Sequence, residues 1–582
     1  MPIDYRYFKF REHALGKQPT DLLLTGCRLV NVLSGRIEEG VSIAIAGSRI
    51  VGIGDYPSNE VIDVGGQFVY PGLMDAHMHI ESSKLTIPQL ARLFSRHGTT
   101  SIFADPHEIA NVASIEGVSY LLDTAAYNDR VSVYFTIPSC VPAIPDPEIE
   151  TFAAYLGPTK LRTFFNNPWF VVLGEMMNMP GAIYGDEKVL RKLSDFRALG
   201  VPIDGHAPLL GGKELNAYIY LGIRSDHEST GAAEAQEKLD RGMHIMIREG
   251  SSESNLRDLL PIVNDLNSNR VMFATDDVDP IDLMERGHIN YSLRVAVEAG
   301  LDPVRAIQMA TINTATYFRQ REIGAIFPGA RADIVISPNL RQFQPSSVMR
   351  GGRFVLRDGE EVPVGRDVDR FLRSMMNVSL PEANALGVKA RGGRIRVIKI
   401  IENQIVTEEA IIEPKVEKGF LVPDSGRDVA KICVFERHRN SGSFAVGFIQ
   451  GLGLKRGAIG SSVSHDAHNI IVAGMDDRSI LKAARAIEEM QGGQVAVAGR
   501  KQTRIPLPVA GLMSDLSFEE VVAQEKRMTL FCREELGSKL HSPITTLSFM
   551  ALPVIPLLRI TDKGLIRIES GQYPKHVPLF AG

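Results

Sequence analysis

Pro71-Gly72-Leu73-Met74-Asp75-Ala76-His77-Met78-His79-Ile80-Glu81-Ser82-Ser83 is the stretch from which the rest of the chain becomes readable. An apolar run, Gln67 to Met74, ends in two histidines one residue apart. Side chains alternate along a strand with period two, so His77 and His79 project to one side at its end. Two imidazoles so placed can take adjacent coordination positions on one divalent cation. Standing alone, such a pair is equally well read as two partly solvated histidines beside a turn. The remainder of the chain decides between the two.

Working outward, strand and helix signals alternate, which favours a parallel α/β architecture. Eight strands are predicted: Phe68 to His77, Thr99 to Ala104, Val131 to Ile137, Phe170 to Gly174, Val201 to Asp204, Gly222 to Ser225, His244 to Ile247 and Val271 to Ala274. Helix-like stretches such as Leu85 to Arg96 and Ala232 to Arg241 lie between them. Eight βα alternations over about 250 residues make a (β/α)₈ barrel. Just past the strand ends stand His77/His79, Asp105/His107, Ser139, Glu175, His206, His227, Arg248 and Asp276. In a barrel these positions converge on one rim, where active sites are built.

Glycine-punctuated strands before the barrel (Leu22 to Thr25, Val41 to Ala46) have counterparts after it (Ala332 to Ile336, Arg353 to Leu356). This pattern predicts a small β-sandwich domain assembled from both flanks. The predicted division is 1–67 and 324–362 for that domain, 68–323 for the barrel, 363–393 as a connector, and 394–582 as a C-terminal α/β domain. In the last, Ile395 to Ile401 and Val429 to Val434 read as strands. Ser479 to Gln491 reads as a helix after Asp476-Asp477, with Ile480, Ala484, Ile487 and Met490 on one face. A chain of 582 residues needs several such domains. Its formal net charge of -5 gives no electrostatic footprint for nucleic acid or an anionic membrane. Cys27, Cys140, Cys433 and Cys532 form no C-x-x-C pair and imply neither a disulfide framework nor a thiolate zinc site. Met1 to Phe10 lacks an apolar signal region, and no apolar run reaches membrane-spanning length, so a cytoplasmic protein is expected.

The ligand set implied is His77, His79, Glu175, His206, His227 and Asp276. Four imidazoles and two carboxylates suit zinc, manganese, iron(II) or cobalt better than calcium. They are too many for one tetrahedral catalytic zinc and the right number for two metals sharing a carboxylate, with Glu175 the natural bridge. A water held between two cations loses its proton near neutral pH and becomes a nucleophile. Asp276 is placed to collect that proton and deliver it to a leaving group. This chemistry alone fits a deaminase, a cyclic-amide hydrolase or an N-acyl hydrolase. A non-catalytic binding protein is disfavoured, because an unused buried charge cluster is costly.

The motifs now in view resemble those of the amidohydrolase superfamily, and within it the adenine deaminase family. They are Asp75-Ala76-His77-Met78-His79-Ile80-Glu81-Ser82-Ser83, Asp105-Pro106-His107-Glu108-Ile109-Ala110-Asn111-Val112, Pro138-Ser139-Cys140-Val141-Pro142-Ala143 and Asp204-Gly205-His206-Ala207-Pro208. Gly212 to Tyr218, Ser225 to Ser229, Met246 to Ser251 and Thr275-Asp276-Asp277 continue the set, and Val463 to Asn469 and Leu552 to Pro556 extend it to the C-terminal region. The resemblance covers nearly the whole chain. It implies hydrolytic deamination of adenine to hypoxanthine and ammonia, as in purine salvage, on two divalent ions, manganese or iron(II) preferred and zinc possible. The expected assembly is a homodimer or larger homo-oligomer. One departure is visible: where the family tends to carry an arginine-containing pair after Asp277, this chain has Val278-Asp279-Pro280.

Glu81 is positioned to protonate a purine ring nitrogen as C6 is attacked, though it also reads as a solvated loop residue. His107 can polarise water, bond substrate or support a ligand. Ser82, Glu108, Ser139, Glu228 and Arg248 are substrate-contact candidates on placement alone. His465-Asp466-Ala467-His468-Asn469 has too few nearby partners for a metal site and reads as a loop closing over the barrel mouth or a polar network. Gly451 to Gly457 lacks the third glycine of a dinucleotide loop and reads as a tight turn. His13, His97, His244, His288, His438, His541 and His576 read as ordinary surface or core histidines.

Overall fold

The computed structural model describes residues 8–251, 253–364, 372–402 and 404–581. Most of the stretch Met1 to Phe10, read as lacking an apolar signal region, and part of the predicted connector 363–393 lie outside them. The barrel strands are Leu73–Met78, Thr99–Ala104, Ser132–Ile137, Phe170–Met176 and Ile203–Gly205 in one parallel sheet, then Ser225–Asp226, His244–Arg248 and Val271–Ala274 in a second. A parallel bridge between Met78 and Asp276 joins the first strand to the end of the last. Asp276 N donates to His77 O at 2.9 Å, and His79 N donates to Asp276 O at 3.0 Å. The first three strands are buried along their whole length, because parallel strands have helices on one side and the barrel interior on the other. The arrangement is TIM-like.

The predicted strand Phe68–His77 is two strands broken at Gly72. Phe68–Pro71 belongs to the flanking sheet, where it runs antiparallel to Ile334–Ser337. A side chain at position 72 would collide with Thr100, so the crossing from one sheet to the next requires glycine. Smaller differences make Glu175 the penultimate and Arg248 the last residue of its strand, and shorten the sixth strand to Ser225–Asp226. The helices keep their expected places, Ile87–Arg96 and Ala232–Asp240. Glu187–Leu199 shows how sequence sets its ends: Asp186 accepts from Lys188 N and Val189 N, and Gly200 leaves the helix in the left-handed region.

The flanking sheet has nine strands, five from before the barrel and four from after it. Leu24, Cys27, Leu29, Ile43 and Val69 share its core with Ile334, Ile336 and Met349. The C-terminal region holds another nine-stranded sheet, with Arg394–Ile400 and Val429–Phe435 where strands were expected. Helix Asp477–Glu489 packs on three of its strands, with Ile480, Ala484 and Ile487 buried and Asp476 capping through Ser479 N. Gly451, Gly453 and Gly457 all have positive φ in the loop between Phe444–Gln450 and Ala458–Ser461. All four cysteines are free and buried. Among the described residues no helix is long and apolar enough to cross a membrane.

The C-terminal region lies against the barrel rim. Ile80, Leu85 and Val278, from the loops after the first and last barrel strands, share one apolar core with Ile459, Leu512 and Phe549. The departure at Val278-Asp279 belongs to this contact. Val278 is buried in that core, and Asp279 accepts from Lys84, Ser542 and Thr545.

Candidate active site and metal centre

All six predicted ligands converge. Glu175 divides them: its Oε1 lies 3.4 Å from His77 Nε2 and 3.3 Å from His79 Nε2. Its Oε2 lies 2.7 Å from His206 Nδ1 and 3.3 Å from His227 Nε2. Asp276 Oδ1 lies 3.4 Å from His77 and 3.1 Å from His79, and Asp276 also groups with His77 and His227. Each group is buried. His77 and His79 reach one centre because strand alternation places them on one side, as their spacing requires. Asp276 gets there through a left-handed backbone, φ 60°, at the point where the last strand meets the first. A non-glycine residue held in that region marks a position over-determined by its surroundings.

A layer of buried acids braces the ligands. Asp75 Oδ1 accepts from His77 N and Thr275 N, while its Oδ2 accepts from Thr275 Oγ1 and lies 2.9 Å from His288 Nε2. Asp105 Oδ2 accepts from Glu175 N at 3.2 Å, and the Asp105 carbonyl lies 3.2 Å from His79 Nδ1. Ser139 Oγ, a substrate-contact candidate by its placement, donates to the Glu175 carbonyl at 2.5 Å. Tyr218 OH donates to Met176 O and accepts from His206 N. His288, which reads in the sequence as an ordinary surface or core histidine, lies behind His77 through Asp75. Its sequence neighbourhood carries no signal for that role.

Electrostatics agree with cation binding. Burial opposes charge at Glu175, but His227, His206 and His77 outweigh it and hold the carboxyl well below its usual range. Asp276 is likewise lowered, by His77, His79 and Arg248 against burial. Burial pushes the His77 imidazolium down, yet Asp276 and Glu175 raise it to about 10. Ionised carboxylates that demand positive partners, with His77 Nε2 and Glu175 Oε1 lacking hydrogen bonds, form a donor set that divalent cations fit. His77/His79/Glu175 and Glu175/His206/His227 are each close enough to hold one ion.

The remaining candidates divide. Glu81 is buried; its Oε1 accepts from Ile109 N at 2.9 Å, while its Oε2 has no hydrogen-bond partner. Burial, then the negative charge of Glu108, raises it to about 7. Its reading as a solvated loop residue is therefore corrected. His107 opens helix His107–Ala126, with Nδ1 3.3 Å from Asp105 and 3.6 Å from Glu175. Arg248 pairs with Glu228 and donates to Asp276 Oδ2 at 2.8 Å. Ser82 Oγ donates to Asp277. Glu108 is held between His465 and His468 of the C-terminal region, so that loop does reach the barrel mouth.

Residues 68–355 match the amidohydrolase family, and residues 404–572 match the adenine deaminase C-terminal domain. An adenine deaminase of Desulfatibacillum aliphaticivorans is 44% identical over 558 residues, covering 96% of this chain and 97% of its own. One from Methanothrix thermoacetophila is 44% identical over 571 residues, covering 97% and 98%. Adenine deaminase 2 of Carboxydothermus hydrogenoformans is 42% identical over 561 residues, covering 96% and 97%.

Proposed function

The chain belongs to the adenine deaminases of the amidohydrolase family, and on that premise we propose that it hydrolyses adenine to hypoxanthine and ammonia at a two-metal centre, as a step of purine salvage. One observation carries the metal reading: the two oxygens of Glu175 face two separate histidine pairs. His77, His79, Asp276 and Glu175 Oε1 would hold one ion, and Glu175 Oε2, His206 and His227 the other. Manganese or iron(II) is preferred, with zinc as the alternative. When bound, such ions supply the charge that acidifies water and polarises the base.

The residues supply the proton traffic. Asp276 Oδ2 is tied to Arg248, which leaves Oδ1 on the ligand side to take the proton of the attacking water. Glu81 Oε2 is free of hydrogen bonds, and a carboxyl raised to about 7 carries a proton over much of the neutral range. It donates that proton to a ring nitrogen as C6 becomes tetrahedral, Asp276 returns its own to the departing ammonia, and the proton left on the C6 oxygen restores Glu81 as the carbonyl forms. His107 lies between Asp105 and Glu175, where it orients substrate or ligand. Glu108, Glu228, Arg248 and Ser82 contact or frame the base.

The proposed division of the chain keeps the small β domain, built on one nine-stranded sheet where a sandwich was expected, with the barrel, connector and C-terminal α/β domain, and with the first boundary moved to Gly72. A cytoplasmic location, in line with four buried free cysteines, and a homo-oligomeric state complete the reading. Metal-free protein reconstituted with manganese and given adenine, other aminopurines and cyclic amides tests it. Hypoxanthine and ammonia should form in equal amounts, with adenine the best substrate. A cyclic amide turned over faster than adenine would sink the reading.

A further inference from the structure

The C-terminal loop 462–469 brings a carboxylate to the barrel that the chemistry above does not use. It joins strands Ala458–Ser461 and Ile470–Gly474. It is fixed at several points: His465 N donates to Ser548 O at 3.0 Å, the His465 ring stacks on Phe549, and Asn469 Nδ2 donates to Thr151 O at 2.8 Å. His465 and His468 clasp Glu108 from two sides. Asp466, between them, is different. It is 1% exposed, and neither of its oxygens has a hydrogen-bond partner among the described residues.

Its nearest cationic group is His107 Nε2, 3.8 Å from Oδ1, which is too long for a hydrogen bond. His107 is fully buried and neither of its ring nitrogens is hydrogen-bonded. The opposite edge of that ring faces the bridging ligand, with Nδ1 3.6 Å from Glu175 Oε1. His107 thus stands between the ligand cluster and the C-terminal loop, with Cys140 close to both it and Asp466. A carboxylate buried without donors is costly, and a rigid loop retains one when a ligand supplies the donor.

The chemistry of the base identifies that donor. For C6 and its amino group to face Glu175, the opposite edge of adenine must point away from the metal ligands. That edge carries N3 and the only ring N–H, on N9. We propose that Asp466 accepts the N9–H of bound adenine, so that the C-terminal region selects the free base over N9-substituted purines. The proposal rests on adenine deamination as the function. A nucleoside or 9-methyl purine offers no hydrogen there and sets carbon against an unanswered carboxylate.

The experiment compares adenine with 9-methyladenine on manganese-loaded full-length enzyme. Asp466→Ala should lower kcat/KM for adenine by about 10- to 100-fold, mainly through KM, as expected for a lost hydrogen bond to a charged acceptor. Its kcat/KM for 9-methyladenine should hold or rise, so the preference for the free base shrinks at least tenfold. Asp466→Asn, which keeps an acceptor oxygen, should fall between. Equal losses on both substrates would assign Asp466 a structural role and overturn the proposal. So would a metal content of three ions in the parent and two in the variant. Inhibition of the parent enzyme by hypoxanthine and 9-methylhypoxanthine gives a reading that needs no variant. The methylated compound should bind at least tenfold more weakly, and equal inhibition would overturn the proposal. A parent enzyme that binds two metals yet leaves adenine intact would fail the functional reading itself, a result distinct from altered preference.

Discussion

Asp276 and Asp279 stand three residues apart in one loop, both are buried, and they serve opposite ends. Asp276 looks into the barrel rim, toward His77 and His79. Asp279 looks toward the C-terminal region, where Lys84, Ser542 and Thr545 answer it, and Lys84 also binds Glu525 at 2.7 Å. The loop after the first strand is split in the same way, His79 for the rim and Lys84 for the anchor. Buried charge by itself is thus no mark of function. The anchor is closed, each charge meeting a protein group of opposite sign. The rim is open: His77 Nε2 and Glu175 Oε1 face shared space without hydrogen bonds. Where histidines and carboxylates converge and buried atoms among them still keep no hydrogen bond, a bound cation would complete the arrangement.

That contrast ranks the expected mutational effects. The largest falls on the open cluster. Glu175→Gln removes the charge that two histidine pairs share, and should cost at least one metal equivalent and roughly 10³-fold in turnover, the loss of several kcal/mol of charge stabilisation. Metal analysis beside a steady-state assay checks this. Two metals retained with near-normal turnover would break the distinction between rim and anchor. Asp276→Asn should lower kcat by about 10²-fold with both metals still bound, because the amide takes up no proton. A change of only a few-fold at full metal content would pass the shuttle role to His107.

The anchor should answer with stability. Lys84→Met leaves Asp279 and Glu525 buried without their cation, and should cost about 3–5 kcal/mol in denaturant unfolding while native protein still binds two metals. Metal loss without a change in the unfolding midpoint would mean that Lys84 belongs to the rim. At the bottom of the scale lies the exposed helical pair Arg191–Glu187, 2.6 Å apart. Arg191→Ala should shift stability by no more than about 0.5 kcal/mol, since water replaces what is lost. A larger shift, read in the same unfolding experiment, would show that exposure is a poor guide to the strength of an ion pair here.

His77, His79, Glu175, His206, His227 and Asp276 were legible in the sequence because a barrel converts position into proximity. Once βα alternation is recognised, strand ends must meet at one rim, however far apart they are in the chain. Glu81 was legible as a residue beside that rim. Its burial was not, because what covers it comes from other parts of the chain. The break at Gly72 was hidden because Phe68 to His77 is an unbroken stretch without a turn signal, and only the close approach of Thr100 shows why it changes sheet there.

By itself, then, the sequence carried the strand–helix alternation of the barrel and the six side chains that meet at its rim, which rest on local period and spacing, and the motifs through which it resembles its family. Only the tertiary structure decided that Val278-Asp279 belongs to a domain contact, that His288 braces His77 through Asp75, and that the loop around His465 reaches Glu108. Those facts are pairings between residues roughly 200 to 360 positions apart, as for Lys84 with Asp279 or Glu108 with His465. No local periodicity encodes such a pairing. It is fixed when the apolar faces of barrel rim and C-terminal region close on each other and every buried charge must find its partner.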